Sequence, residues 1–216
     1  MPGRDTPLVT DEIYHIFNKG VAGQKVFRNQ SDYERAQDSL FYYKHIIPPV
    51  KYSRLSSLHK DDRKDLLKQL EKTRKNLVDL IAYCLMPNHF HLLAKQLVDG
   101  GISRYLSNFC NSYTRYFNTK RERTGPLFQG KFKAVLITSN EQLLHVSRYI
   151  HLNPYSSSVV KSITQLKNYP YSSLTKLSTS KVESKLILDQ FKSINEYYQF
   201  VFDQADYQKN LVVFHL

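Results

Sequence analysis

Tryptophan is absent, and the 216 residues hold only two cysteines, two methionines and seven glycines. Cys84 and Cys110 form no CxxC and have no third or fourth partner, which excludes a disulfide framework and a cysteine zinc site and leaves two core thiols. No apolar run approaches the roughly 20 residues of a membrane span. The opening stretch MPGRDTPLVTDEIYH contains nothing like the apolar segment of a secretion signal, so a cytoplasmic protein with no membrane partner is expected. Negative charge is scarce: 19 Asp and Glu face 31 Lys and Arg, leaving +12. Such a field attracts nucleic acid, an anionic surface or an acidic partner, and charge alone does not choose among them.

With 41% hydrophobic and 23% charged residues, the composition is that of a globular protein with one core and room for an appendage. In place of Trp there are 16 Tyr and 12 Phe, and many tyrosines stand beside Lys or Arg. That neighbourhood suits nucleic acid, where bases stack on rings and phosphates meet cations.

EIYHIFN at 12 to 18 alternates as a strand does, and glycines follow it. From Ser31, read as an N-cap, Tyr33, Ala36, Leu40 and Tyr43 recur at helical spacing until Pro48-Pro49. Residues 50 to 76 are polar, with opposite charges at helical spacing, and read as a solvated helical insertion. NLVDLIAYCLM and HFHLLAK, separated by Pro87-Asn88, read as two central strands in a hairpin. A long amphipathic helix follows from Gly101 to Gly125, then the strand KFKAVLI, then a helix capped by Ser139 and running to Pro154. The predicted order is strand, helix, strand, strand, helix, strand, helix. It implies an α+β fold, a ferredoxin-like sandwich with a central antiparallel sheet and helices on its face. The tail from Tyr155 to Leu216 is rich in Ser, Lys and Tyr, with one helix expected around Lys185 to Phe202.

Two clusters could carry chemistry. His89-Phe90-His91 on a strand puts both imidazoles on one face, converging as divalent-metal ligands must. Eight histidines in this length give about 0.3 such pairs by chance, and two half-exposed histidines on a strand is the bland reading. Tyr149 and Asn153, four apart, share a helical face, so a carboxamide oxygen could complete a metal site beside a phenol. Against this, an Asn before Pro154 is commonly a cap, and a helical tyrosine usually packs. Tyr113 and Tyr116 are rival phenols, Tyr116 the stronger, although the residue four beyond it is Lys120, a poor ligand while charged. Arg115, Lys120, Arg121, Arg123, Lys131, Lys133 and Arg148 gather on the same elements and would track phosphates, or simply form a solvated basic face.

Taken in order, LMPNHFHLL at 85 to 93, GPLFQGKFK at 125 to 133 and RYIHLNP at 148 to 154 resemble the signatures of single-tyrosine HUH transposases, and within them the REP-associated tyrosine transposases. The resemblance runs over roughly residues 12 to 175, including YPYSS at 169 to 173. It implies that His89, His91 and Asn153 bind Mg2+ or Mn2+, that Tyr149 is the nucleophile, and that the substrate is single-stranded DNA with hairpin or repeat elements. It further implies a 5′-phosphotyrosine intermediate, association with the nucleoid, and a catalytic domain over 1–154 with an extension over 155–216 packed on it. Homodimer and monomer both stay open. Phe128 and Lys131 stand where the family usually has Trp and Arg, and neither the insertion at 50 to 76 nor the tail belongs to the shared pattern. Three rivals remain: a non-catalytic nucleic-acid-binding relative, a metal-dependent phosphodiesterase without a tyrosine intermediate, and a replication or conjugation nickase.

Overall fold

Alternation along the first strand decides the layering. In the computed structural model, which describes residues 7–73, 75–179 and 182–213, β1 spans Ile13–Lys19 and buries Tyr14 and Ile16 completely. His15, Phe17 and Lys19 therefore point to the opposite face. The chain continues through α1 (Gln30–Tyr43), α2 (Tyr52–Ser56), α3 (Lys60–Thr73), β2 (Val78–Met86), β3 (His89–Gln96), α4 (Gly101–Lys120), β4 (Lys133–Leu136) and α5 (Asn140–Ser156). Apart from α2 and α3 in the insertion, this is the order expected from the sequence. The strands stand in the order β2-β3-β1-β4, every neighbouring pair antiparallel, so the fold is α+β with the ferredoxin-like strand order.

The helices cover both faces rather than one. α1 and α4 pack on the side of Tyr14, Ile16, Phe90 and Leu92, in one aromatic-rich core. α5 lies on the other side, where Leu143, Ile150 and Leu152 share a second core with Ile81, Cys84, Met86 and Leu93. The tail adds α6 (Ile163–Lys167), α7 (Lys185–Leu188), α8 (Ile194–Phe202) and α9 (Ala205–Val213), and Leu166, Tyr197 and Val201 join this second core. The two cores exist because β2 and β3 are apolar on both faces, as strands sandwiched between layers must be.

Several local expectations change. Asn29, not Ser31, caps α1: its Oδ1 accepts the Asp32 N–H at 3.1 Å, while Ser31 already sits inside the helix. Ser139 does cap α5, accepting the Gln142 N–H at 3.2 Å. α5 runs through Pro154 to Ser156, because the ring removes only one late hydrogen bond and the Ser157 N–H still reaches Asn153 O at 3.0 Å. The expected helix at 185 to 202 is two helices, broken where Ser193 caps α8 by accepting the Glu196 N–H. Within the insertion α3 is solvated, with only Leu70 buried, but α2 sinks Tyr52 and Leu55 into the α1–α4 core. Cys84 is buried, Cys110 is half-buried, and both are free thiols. Among the described residues no helix is long and apolar enough to cross a membrane.

A buried carboxylate clasps α1 to α4. Asp32 is fully buried; Oδ1 accepts Lys120 Nζ at 3.0 Å and Tyr116 Oη at 3.2 Å, and Oδ2 accepts the Arg28 N–H at 3.0 Å and the Arg121 guanidinium. Burial alone would raise its pKa, but the Arg28 N–H, Lys120 and Arg121 outweigh burial and hold it below the ordinary carboxylate value. A carboxylate depressed in the fold contributes stability that is present above its unfolded pKa, near 4, and lost as pH falls through the folded value. Asp32→Ala should therefore cost about 3 kcal/mol in chemical denaturation at neutral pH, since it strands two cations. The wild type should also lose more stability than the variant between about pH 5 and pH 3; parallel pH profiles would refute the role given to Asp32.

Candidate active site

Strand register builds the floor of the site. On the α5 side of the sheet, Lys133, Phe17, His91 and Cys84 form one cross-strand row, and Val135, His15, Leu93 and Ala82 the next. His89 lies between Lys19 and Met86 in a third row. α5 packs over β2 and β3. On the β4 side of the same face Lys133 is exposed and Val135 is 46% exposed, so this face opens to solvent beside the histidines.

The hydrogen bonds then fix which ring atoms are free. His89 Nδ1 lies 2.7 Å from Asn88 Oδ1, an acceptor, so Nδ1 carries the proton and Nε2 keeps a lone pair. That Nε2 stands 3.2 Å from Asn153 Oδ1, a second acceptor, in a position only 3% exposed. In that tautomer two lone pairs face each other, an arrangement that a cation between them would satisfy. Neighbouring ligands on an octahedral ion bonded at about 2.1 Å stand about 3 Å apart, so the pair fits a divalent ion. His91 Nδ1 is 3.0 Å from His15 Nε2, their rings stacked, and His91 Nε2 makes no hydrogen bond among the described residues. With Nδ1 occupied by His15, the remaining His91 nitrogen is the one available for coordination. No group of three or more His, Cys, Asp or Glu poised for a metal occurs among the described residues, so the set depends on the Asn153 carboxamide.

Burial sets the charge states. His15 is pushed down to about 4, His89 is lowered, and His91 is held well below the usual imidazole value by burial and by its two imidazole neighbours. All three are neutral at neutral pH, the form that coordinates metal. The Tyr149 ring meets His91 edge-on at 5.3 Å and His15 at 5.9 Å between centroids. Burial raises the Tyr149 pKa and a hydrogen bond from the Asn153 side chain partly opposes the rise. Its phenolate therefore needs a nearby positive charge.

The opposite side of α5 is anchored by a residue with no such exposure. His151 is fully buried, with Nδ1 2.7 Å from Tyr197 Oη and Nε2 2.8 Å from Ser173 Oγ. Ser173 Oγ in turn accepts the Tyr83 N–H of β2 at 2.8 Å.

The structure thus brings Tyr149, His89, His91 and Asn153 together, with Lys133 on the same face. It separates Tyr116, whose hydroxyl is bound to Asp32 on the reverse of the sheet, and Tyr113, which is buried and donates to Val26 O. The expected basic cluster is divided. Arg115, Lys120, Arg121 and Arg123 stand on or just beyond α4, on the reverse face. Lys120 and Arg121 hold Asp32, and Arg121 also stacks over Phe117 at 4.1 Å. Arg123 donates to Asn118 Oδ1 at 2.7 Å and Pro126 O at 3.1 Å, and Arg148 lies 4.4 Å over Phe200. Lys131 and Lys133 are exposed in the loop and strand after α4. His15 is the residue that sequence reading missed. Its signal was present in IYHIFNK, where inward Tyr14 and Ile16 oblige His15 to face the other way, but its pairing opposite HFHLLAK was not.

Known proteins resemble this chain in fold more than in sequence. No curated protein matches the chain in sequence. Among solved structures, one described as "Structure of the REP associates tyrosine transposase bound to a REP hairpin" superposes with a TM-score of 0.53. The alignment covers 84% of this chain and 88% of that one at 13% identity, a likeness of fold. The sequence profile of the family described as "Transposase IS200 like" matches residues 39–153, more than half of the 216 residues. With β2, β3, α4, β4 and the tyrosine-bearing helix α5 all inside or beginning within that match, this chain belongs to the IS200-like transposase family.

Proposed function

We propose that the protein cuts and rejoins single-stranded DNA through a covalent 5′-phosphotyrosine at Tyr149, with Mg2+ or Mn2+ held by His89, His91 and Asn153. The observation that carries this reading is the convergence of His89 Nε2 and Asn153 Oδ1 at 3.2 Å beside the Tyr149 ring, within one chain. Membership of a transposase family supports action on DNA, and the fold neighbour bound to a hairpin supports a hairpin-bearing substrate. Residues 1–154 would form the catalytic unit, 155–216 its supporting extension, and a single chain would suffice at the nucleoid.

In the cleavage step Tyr149 Oη attacks the scissile phosphorus, a bond forms from the phenol oxygen to phosphorus, and the bond from phosphorus to the 3′ oxygen breaks. The phenol proton is lost and the departing 3′ oxygen gains one, so a free 3′ hydroxyl leaves. A bound divalent ion would neutralise charge on the phosphate's non-bridging oxygens and orient it for in-line attack. Asn153 would have two roles, since its side chain also opposes the rise that burial imposes on the Tyr149 pKa. His15 holds the His91 ring, and Lys133 offers a cation on the open side of the same face. The covalent ester conserves the bond energy, so a second 3′ hydroxyl can attack it and reseal the strand without ATP.

Incubation with Mn2+ and a hairpin-bearing single-stranded oligonucleotide should give an SDS-resistant protein–DNA adduct that Tyr149→Phe abolishes. Strand cleavage persisting in Tyr149→Phe would instead indicate a phosphodiesterase, and binding with no adduct in the wild type a non-catalytic relative. His15→Ala should lower the adduct-forming rate about 10- to 100-fold and raise the Mn2+ concentration needed for half-maximal rate, as loss of an orienting partner does. An unchanged metal requirement would mean that His15 only fills space.

A further inference from the structure

A second cation-lined site lies on the far side of the sheet from Tyr149. It is a cleft of about 900 Å³ between α4 and the segment Pro48–Ser56, which includes α2. Arg35, Lys51, Arg115 and Lys120 line it, with the amides of Asn108 and Asn111, and no Asp or Glu does. The nearest carboxylates have other partners: Asp32 holds Lys120 and Arg121, and Asp38 accepts the Tyr52 hydroxyl at 2.8 Å. Its polar groups are cations, amides and hydroxyls with no anion among them, set against a wall of Pro48, Pro49 and Val50.

Arg35 shows what is missing. Its guanidinium sits 4.1 Å over the Tyr52 ring and 5.4 Å from that of Tyr116, with one Nη 3.5 Å from Ser112 Oγ. Its Nε is buried without any hydrogen-bond partner, and no carboxylate pairs with it among the described residues. Asp38 acts on this guanidinium only through space, so a buried donor is held between two rings with its hydrogen-bonding capacity unused, which an arriving anion would satisfy. Arg115 and Lys51 are exposed, and neither makes an ion pair among the described residues. The aromatic walls offer little stacking platform, since Tyr43 is only 7% exposed and the Tyr116 ring already has Lys120 Nζ at 5.2 Å and the Arg35 guanidinium at 5.4 Å from its centroid. Cations and amides without a free ring suit phosphates and sugars rather than bases.

We infer that this cleft binds the phosphodiester backbone of the DNA substrate at a point remote from the scissile phosphate, so that one polymer engages both sides of the sheet. The inference rests on the reading that the ligand is DNA. It also gives the segment at 50 to 76, which lies within the family match, a part in binding. There α2 is buried through Tyr52 and Leu55 because it forms one wall of the cleft.

The test is equilibrium binding, across a salt titration, of the full chain to a hairpin-forming oligonucleotide and to an unstructured strand of equal length. Lys51→Glu/Arg115→Glu is compared with Lys185→Glu/Lys192→Glu, which makes the same change in net charge on exposed positions of the tail. Thermal melting confirms that each variant folds. The cleft variant should bind at least about tenfold more weakly and lose about two from the slope of log affinity against log salt, and the tail variant should retain most of both. Arg115→Gln alone should lower the slope by about one. A loss confined to the hairpin assigns the cleft to the stem backbone, and a loss on both DNAs assigns it to backbone in either form. Equal losses in the cleft and tail variants, or none in the cleft variant, would overturn the inference. Adduct formation by the wild type on the same DNA reports Tyr149 chemistry separately.

Discussion

Hydrogen bonds to both ring nitrogens of His151 fix the rotational setting of α5, and the site depends on that setting. Residues 149 and 153 lie about 40° apart around the helix, and residue 151 lies on nearly the opposite side. With His151 held between Ser173 and Tyr197, Tyr149 and Asn153 are obliged to face the sheet. Ser173 is itself tied to the β2 backbone, so the chain reads out the sheet's position through the tail. His151 can serve in this way because burial pushes its pKa down to about 3 and keeps it neutral. A helix turned by one residue, about 100°, would carry the phenol away from His91 altogether. The tail is thus part of what sets the geometry of the proposed site.

Neutrality is the second condition. Three imidazoles within contact of one another would repel if charged, and burial of His15 and His91 removes that charge. The same burial raises the pKa of Tyr149. A low-dielectric pocket that keeps the imidazoles neutral also makes a phenolate expensive, so Tyr149 as the proposed nucleophile would work only where a positive charge is close by. The proposed ligand set and nucleophile are therefore coupled by one physical cause.

Much of this was legible in the sequence, for definite reasons. The strand period put His89 and His91 on one face, the helical period put Tyr149 with Asn153, and turn residues separated the elements in their observed order. What the sequence left open depended on partners distant in the chain. His15 is a lone histidine until its strand pairs with His91. Whether Lys120 and Arg121 meet solvent or a carboxylate is decided by Asp32, almost 90 residues away, and whether Arg148 meets DNA or a ring by Phe200. The polar look of residues 50 to 76 concealed Tyr52 and Leu55, because a five-residue helix is too short to show a periodic stripe. The tail's share of the second layer was hidden for the same reason, since its buried residues come in short segments.

The central claim is that one chain supplies every group of the site. Mixing Tyr149→Phe, which keeps the ligands, with His89→Ala/His91→Ala, which keeps the nucleophile, tests it directly. Neither variant alone should form a DNA adduct, and the account predicts that no ratio of the two forms one either. Recovery of the adduct on mixing would show that Tyr149 acts on the ligands of a partner subunit, and would contradict the assembly described.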